Sequence, residues 1–579
     1  MLKRLKSVSM MLFLMGASTG AAYAVSNPGI TDVKIAQQDG ACTGIVKDAT
    51  GETVIGASVV VKGTTNGTIT GIDGDFSLSN VKKGDVIVIS FVGYISQEIV
   101  WDGKPVNVTL KDDTQTLDEV VVVGYGTQKK VNVTGAVGMV DSKVIAARPV
   151  QNVSQALQGV IPGLNLTVGN SGGSLDGEMN INIRGTGTIG DGSGSSPLVL
   201  IDGIEGNLNT VNPNDIESVS VLKDAASASI YGARASFGVI LVTTKSGKSG
   251  KTNVNYSGNV RFNDAIGIPE LMDSYTFAQY FNRASSNRGG GDIFSPAVME
   301  RIKAYQEGTL TATTVDNGSG IWQKWANANG NTDWFGEFYD NWVPSQEHNL
   351  SISGGTEKLQ YVLSGSFLDQ KGLLRHGTDK FQRYTLNSKI TANITDWLKV
   401  TLNSKWTRED FQRPTYLTSS FFHNLARKWP VHPAYDPNGF PMDEGEIEQM
   451  ENGGEQNSQK DYYTNQLHVV IEPIKNWRIN LEGSVRTTTQ YQHWEVLPVH
   501  AYDVNGDPYY TVWDMGYGSY SAGSSRVDEY SWKENYYTTN IYSDYFKQFD
   551  NGHYFKVMAG FNAELYKNRS IEAIKNNLI

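Results

Sequence analysis

The side chains of this 579-residue chain that carry chemistry by type do not fall into the spacings a reactive site requires. Asp503, Asn505 and Asp507 have the opening spacing of an EF-hand calcium loop, and Asp514 stands at its twelfth place. Pro508, however, occupies the sixth position, where the sharp turn needs glycine. Asn505-Gly506 reads instead as a hairpin turn, as does Asp436-Pro437-Asn438-Gly439. None of the eight histidines stands at H-E-x-x-H spacing, and no Ser or Cys lies in a nucleophile elbow. Gly185-Thr186-Gly187 opens a glycine-rich stretch that lacks both Gly-Lys-Ser/Thr and a following helix, which argues against a phosphate loop. Cys42 is the only cysteine, so an intrachain disulfide is impossible. Gly40-Ala41-Cys42 imitates the end of a lipobox, but polar Gln37-Gln38-Asp39 precede it, and a free thiol near the start of the first domain is expected. The reading is therefore of a non-enzyme with no metal and no cofactor.

What remains is binding chemistry. Trp322, Trp325, Trp334, Trp429 and Tyr435 have the flat faces that stack on sugar rings, and the same residues serve equally as loop cores or belt residues. Asp118-Glu119-Val120-Val121-Val122-Val123-Gly124 is a valine run with acids before it and glycine after it. It reads either as a buried strand or as a segment that leaves its surroundings and adds to a partner's sheet edge, where main-chain bonds supply the affinity.

These residues need elements to hold them. Lys3, Arg4 and Lys6, an apolar core from Val8 to Met15 and a small-residue end at Ala22-Tyr23-Ala24 predict a cleaved signal peptide over 1–24, hence export. A formal charge of -11, made more negative by loss of three leader cations, argues against nucleic acid as a partner. After a flexible 25–41, short strands between turn signals predict a β-sandwich over 42–112, with Ile55–Val61, Phe76–Leu78, Val86–Val92 and Val106–Leu110 as its core. No histidine precedes His348, so that domain holds no His-based metal site. Residues 113–130 read as a linker. In 131–248, Ser218–Lys248 packs a strand, an alanine-rich helical stretch (Lys223–Tyr231) and a second buried strand (Val239–Thr244) into one α/β unit. Further elements there are helices over 144–150 and 152–157, a loop and strand over 159–166, a strand over 181–183, and a glycine- and serine-rich loop over 185–196.

From 249 onward the composition shifts. Twenty-four of 28 tyrosines and 11 of 12 tryptophans lie after Gly250. Leu386, Ile390 and Ile394 alternate with Asn387, Lys389 and Asn393. Leu398, Leu402 and Trp406 oppose Lys399, Asn403 and Lys405. Trp477, Leu481 and Val485 oppose Arg478, Glu482 and Arg486, and Phe555, Phe561 and Leu565 oppose Lys556, Asn562 and Glu564. Each run has the length of a tilted strand crossing a bilayer, which favours a transmembrane barrel over a secreted adhesin of stacked β-sandwiches. Long loops are expected over 264–344 and 413–460, with helices over 274–284 and 295–306.

Leu117–Lys130 (LDEVVVVGYGTQKK), Ile183-Arg184-Gly185, Pro197–Gly203 (PLVLIDG) and Ser218–Lys248, in that order, resemble the SusC/RagA family of TonB-dependent outer-membrane transporters of Bacteroidetes. The segment GASVVVKGTTNGTITGIDGDFSL is similar to a carboxypeptidase-regulatory-like domain. The resemblance implies a mainly β fold made of that sandwich, an α/β plug over 131–248 and the first part of an antiparallel transmembrane barrel, complete at about 22 strands. It makes Asp118–Gly124 the TonB box, which binds the periplasmic partner TonB. It also implies a SusD-like lipoprotein partner, outer-membrane lipid around the barrel, and import of oligosaccharides or peptides. A barrel ending at Ile579 would expose strand Phe555–Leu565 as an open edge in hydrocarbon, at a cost of several kcal/mol for each unsatisfied backbone group. A fragment of a longer reading frame, or a gene broken by frameshift, is therefore expected.

Overall fold

The computed structural model describes residues 40–578 apart from 50, 92–93, 112–119, 124–125, 130–135, 149, 169–173, 176, 186–195, 512, 515–518 and 550–552. The expected signal peptide lies outside the described residues. The chain divides into two compact units, up to Glu119 and from Val120.

The first unit contains β1 (Gly40–Lys47), β2 (Ser58–Val61), β3 (Gly67–Ile69), β4 (Asp75–Val81), β5 (Val86–Ser90), β6 (Gln97–Val100) and β7 (Val106–Thr109). They form two sheets, ordered β4-β1-β7 and β3-β2-β5-β6. Alternate residues of both, among them Val46, Val59, Leu78, Ile87 and Ile89, make one apolar core. β1 is absent from the sequence reading because glycine thins its apolar pattern. At Gly44 a Cβ would stand 1.9 Å from the Val106 carbonyl oxygen, so this strand crosses its neighbours only without a side chain there. Cys42 is buried on β1, and burial pushes its thiol up.

The second unit opens with a hairpin of β8 (Val120–Val123) and β9 (Gly126–Lys129). An α/β layer follows, from β10 (Val137–Asp141), β11 (Leu164–Val168), β12 (Met179–Ile183), β13 (Leu198–Ile201), β14 (Ile204–Glu205), β15 (Ile216–Leu222) and β16 (Val239–Thr244). Its five-stranded sheet is ordered β10-β15-β16-β13-β14, with β13 and β16 parallel. The central β16 is apolar on both faces, and Val219, Val221, Ile240 and Val242 are buried against the short helices. Those helices, Ser142–Ala146 and Val153–Leu157, begin where Asp141 and Asn152 accept backbone N–H bonds as N-caps. The alanine-rich stretch is not one helix. A single α-turn, Ala225–Ala228, gives way to 3-10 structure that Gly232 breaks with φ 67°.

The remaining chain forms β17 (Gly250–Asn263), β18 (Val343–Gly355), β19 (Leu359–Lys371), β20 (Lys380–Thr395), β21 (Leu398–Pro414), β22 (Glu455–Ile474) and β23 (Trp477–Val496). Two small hairpins come next, β24 (His500–Tyr502) with β25 (Pro508–Tyr510) and β26 (Trp513–Asp514) with β27 (Ser519–Tyr520), and then β28 (Arg526–Gln548) and β29 (Tyr554–Asn576). β17 to β23, β28 and β29 build one antiparallel nine-stranded sheet in chain order. Beyond residue 120, then, stacked sandwiches are not the architecture. The sheet's outer face exposes Leu386, Ile390, Leu402, Leu467, Leu481 and Phe561. Its inner face carries Asn387, Lys389, Asn403 and Lys405, in the alternation the sequence predicts. Strands reach 23 residues, more than the roughly 9–11 that cross a bilayer.

All short turns lie at one end of the sheet. The long connections 264–342, 415–454 and 497–525 lie at the other, as in outer-membrane barrels. β21 and β22 extend further into the expected 413–460 loop than the sequence pattern showed, because Arg413 and Pro414 still pair with Gln456 and Glu455. Two of the loop helices are Ser274–Asn287 and Pro296–Gln306, started by Asp273 and Ser295.

Candidate functional site

The α/β layer packs against the inner face of the nine-stranded sheet, and the contact is almost wholly polar. Its hub is the turn between β13 and β14. Asp202 and Gly203 both have positive φ (51° and 86°), the conformation of a two-residue type I′ turn. This geometry pushes the Asp202 carboxylate out of the layer. Oδ1 accepts from the Thr244 amide at 3.0 Å, and Oδ2 accepts from Thr244 Oγ1 at 2.7 Å and from Asn403 Nδ2 at 3.0 Å. Lys405 Nζ pairs with Oδ2, Lys389 Nζ lies 3.4 Å from Oδ1, and Gln466 Nε2 donates to the Asp202 carbonyl at 3.0 Å. One residue is thus tied to β20, β21 and β22. Burial alone would raise its pKa, but the Lys405 and Lys389 ammoniums overcome that and hold the carboxyl well below the usual carboxylate range.

Further ties spread along the wall. Arg383 donates to the carbonyls of Asn209 at 2.6 Å and Gln151 at 2.7 Å, and Thr407 Oγ1 donates to that of Thr210 at 3.0 Å. Asn212 bonds Asn349, and Asn387 bonds Asp215. Arg486 links the Glu205 carbonyl to Glu534, and Arg234 grips Glu564 through two contacts of 2.6 Å. A cavity of about 270 Å³ remains between layer and wall, lined by groups such as Glu205, Asp215, Lys405 and Arg486. It is roomy and polar enough for water. A larger one of about 820 Å³ opens toward the long loops, between Leu175 and Glu178 of the layer and Leu374, Arg413 and Phe422 of the wall and loops.

Of the segment expected to dock a partner strand, Asp118, Glu119 and Gly124 lie outside the described residues. Val120, Val121, Val122 and Val123 form β8, paired with Lys129, Gln128, Thr127 and Gly126 in turn. β8 and β9 hydrogen-bond only to each other as a two-stranded sheet, and β8 runs close to β15 of the α/β layer.

The candidate stacking aromatics divide. Trp334 is fully buried: its ring lies beside Phe338 and His432, its Nε1 donates to the Trp429 carbonyl at 3.0 Å, and Lys428 sits over its face. No face of it is left for a sugar, which corrects the expectation for this residue. Trp429 is packed among Phe277, Phe281 and Phe294, with Trp325 edge-on to it. Trp325 is half-buried and stacks on His432, Trp322 is half-buried, and Tyr435 is exposed, its hydroxyl donating to Glu337 at 3.0 Å. His432 is the feature the sequence hid. Its ring is wholly buried between Trp325 and Trp334, neither nitrogen has a hydrogen-bond partner, and burial, reinforced by Lys428 and Lys324, depresses its pKa. Asp503 caps its own turn, accepting from Asn505 N at 2.8 Å and Asp507 N at 2.9 Å, so this stretch is the hairpin loop between β24 and β25.

Residues 129–239 match the TonB-dependent Receptor Plug Domain, and residues 42–122 match the CarboxypepD_reg-like domain. The chain is 37% identical over 375 residues to the TonB-dependent receptor SusC of Bacteroides thetaiotaomicron, a match covering 63% of this chain and 33% of the relative. The chain carries the plug and carboxypeptidase-regulatory-like domains together with a SusC-like sequence, the make-up of SusC/RagA-type TonB-dependent receptors. A TonB-dependent receptor of Formosa agariphila is 33% identical over 393 residues, covering 67% of this chain and 34% of its own length. This receptor chain therefore spans about a third of the length of the curated relatives it matches. The RagAB peptide importer in its open-open state superposes with a TM-score of 0.63 at 23% identity, over 79% of this chain and 50% of that one, which identifies the fold. The α/β layer is thus the receptor's plug, and the nine-stranded sheet is part of its barrel wall.

Proposed function

We propose that this chain supplies the energy-coupling segment, the plug and the first wall strands of an outer-membrane importer that takes up oligosaccharides or peptides with a SusD-like surface lipoprotein. In this reading it is exported by its signal peptide and driven from the periplasm by TonB. The observation that carries it is the polar seam between plug and wall. A core of apolar contacts would fix the plug permanently. A seam of hydrogen bonds and ion pairs, each worth a net 0.5–1.5 kcal/mol or so when water is the alternative partner, gives way in steps as water enters.

TonB would take β8 by strand addition, displacing β9, and pull. Because the bonds are main-chain, Val121→Ala is expected to be mild. Val121→Pro removes a ladder donor and fixes φ, so uptake of labelled ligand by energised cells is expected to be lost while surface abundance and ligand binding stay normal. Wild-type uptake at wild-type abundance would rule out β8 as the coupling strand.

A further inference from the structure

In a contact otherwise made of hydrogen bonds and ion pairs, plug and wall share an apolar patch. Leu368 of β19, Phe381 of β20 and Phe411 of β21 are buried together on the inner face, and Leu175 of the plug packs against them. Phe381 and Phe411 stand directly opposite each other in register, which puts their Cβ atoms about 5 Å apart and makes their rings neighbours. Leu175 sits in a turn closed by Gly177 N donating to the Ser174 carbonyl at 3.0 Å, and its own carbonyl accepts from Gln151 Nε2 at 3.3 Å. Leu175 lines two cavities. One is the space of about 820 Å³ on the side of the long loops, and the other, of about 120 Å³, lies between plug and wall with Phe381 and Phe411 in its lining. Benzene fills a cavity of about 150 Å³. A hexose, which is larger, enters the space of about 120 Å³ only once Leu175 withdraws.

The lining of the smaller cavity suits a neutral, hydroxyl-rich ligand. Seven Asn and Gln side chains line it, Gln456, Gln490 and Gln492 among them, and an amide both donates and accepts, as a hydroxyl does. Glu178 and Glu409 are balanced by Arg383 and Lys460. Arg383 gives its terminal nitrogens to the Asn209 and Gln151 carbonyls, and its Nε is buried without an acceptor among the described residues. The wall strands here, β20 to β23, are each paired on both sides, so no sheet edge is open to an extended peptide. We propose that Phe381 and Phe411 form a stacking site for a neutral hexose unit, which Leu175 covers until the sugar displaces it. This rests on the importer reading and names oligosaccharide as the substrate. Gln151 bonds both the Leu175 carbonyl and Arg383 of the wall, so displacement of the turn is passed to the seam.

The test is binding of a panel of neutral hexose oligomers, and of a matched panel of short peptides, by receptor extracted from outer membranes, with variants compared at equal surface abundance. Phe381→Leu and Phe411→Leu keep an apolar contact for Leu175 but remove the flat ring, and each is expected to weaken sugar binding about fivefold. Leu175→Ala uncovers the rings and is expected to tighten sugar binding about fivefold, an opposite sign that mere loosening of the fold would not give. Unchanged sugar binding by both Phe→Leu variants overturns the site, and unchanged or weaker binding by Leu175→Ala overturns the cover. Peptides bound with the same pattern across the variants would overturn the sugar assignment and give the site to peptide. If the wild type binds neither panel, the importer reading falls as well, a result read before any variant is made.

Discussion

Two regions of the second unit join segments far apart in sequence, and they do so with opposite chemistry. The long loops are pinned by aromatic burial: Trp334, Phe338, Phe421 and Leu425 form a dry cluster whose members come from connections 264–342 and 415–454. The plug meets the wall through charges and amides centred on Asp202. Apolar burial is lost as a unit when a cluster opens, whereas a polar seam exchanges its partners for water bond by bond. By this chemistry the loops are the more firmly joined region, and on the proposed function the seam is the part that gives way.

The sharpest contrast comes from truncating each centre. Trp334→Ala removes the largest fully buried side chain of the loop cluster, and a loss of about 3–5 kcal/mol is expected, read as early tryptic cleavage of the loops and a lower unfolding temperature. Asp202→Asn removes the carboxylate that pairs with both Lys389 and Lys405. A loss of about 3 kcal/mol is expected there, read as faster amide exchange in Val239–Thr244 while the loops stay protected. Equal deprotection of both regions by either variant would merge what the structure separates.

Acid separates them further. His432 is held neutral by burial, so its native pKa lies below the ordinary value near 6.5. Below that pH the unfolded chain binds the proton and the native one does not. The stability of the loop cluster is therefore fully present above about pH 6.5 and falls by about 1.4 kcal/mol for each unit of acidification. Asp202 has its pKa depressed from the ordinary carboxylate value. Its contribution is complete above about pH 4 and fades only as pH falls further toward the native value. Between pH 7.5 and 5 the loops should loosen and the seam should not. His432→Phe is expected to flatten the loop profile, checked by proteolysis across that range. The smallest effect belongs to Arg234→Gln. The Arg234–Glu564 pair is half exposed, and its loss is expected to cost less than about 1 kcal/mol at the thermal midpoint.

Much of this was legible in the chain. The alternation that placed Lys389 and Lys405 opposite Leu386 and Leu402 is a local, period-two signal, and it reads directly as a wall with a polar inner face. What those lysines face is not local. Asp202 lies 203 residues before Lys405, and its only sequence signal is an Asp-Gly turn after an apolar strand. The loop aromatics fail for the same reason. Trp334 and Tyr435 read alike as aromatics in polar surroundings, and only the arrival of His432, Lys428 and Phe338 decides that one is core and the other exposed.

On the proposed reading of the complete protein as an importer, the central claim is that the polar seam parts for uptake. Asn212 of the plug and Asn349 of the wall are both buried and bonded to each other across it, and the one native cysteine, Cys42, is buried in the other unit. Receptor carrying Asn212→Cys and Asn349→Cys can therefore be locked by oxidation and released by reductant. Uptake of labelled ligand by energised cells is expected to vanish on oxidation and return on reduction, with surface abundance unchanged. Undiminished uptake by the fully cross-linked receptor would contradict the account.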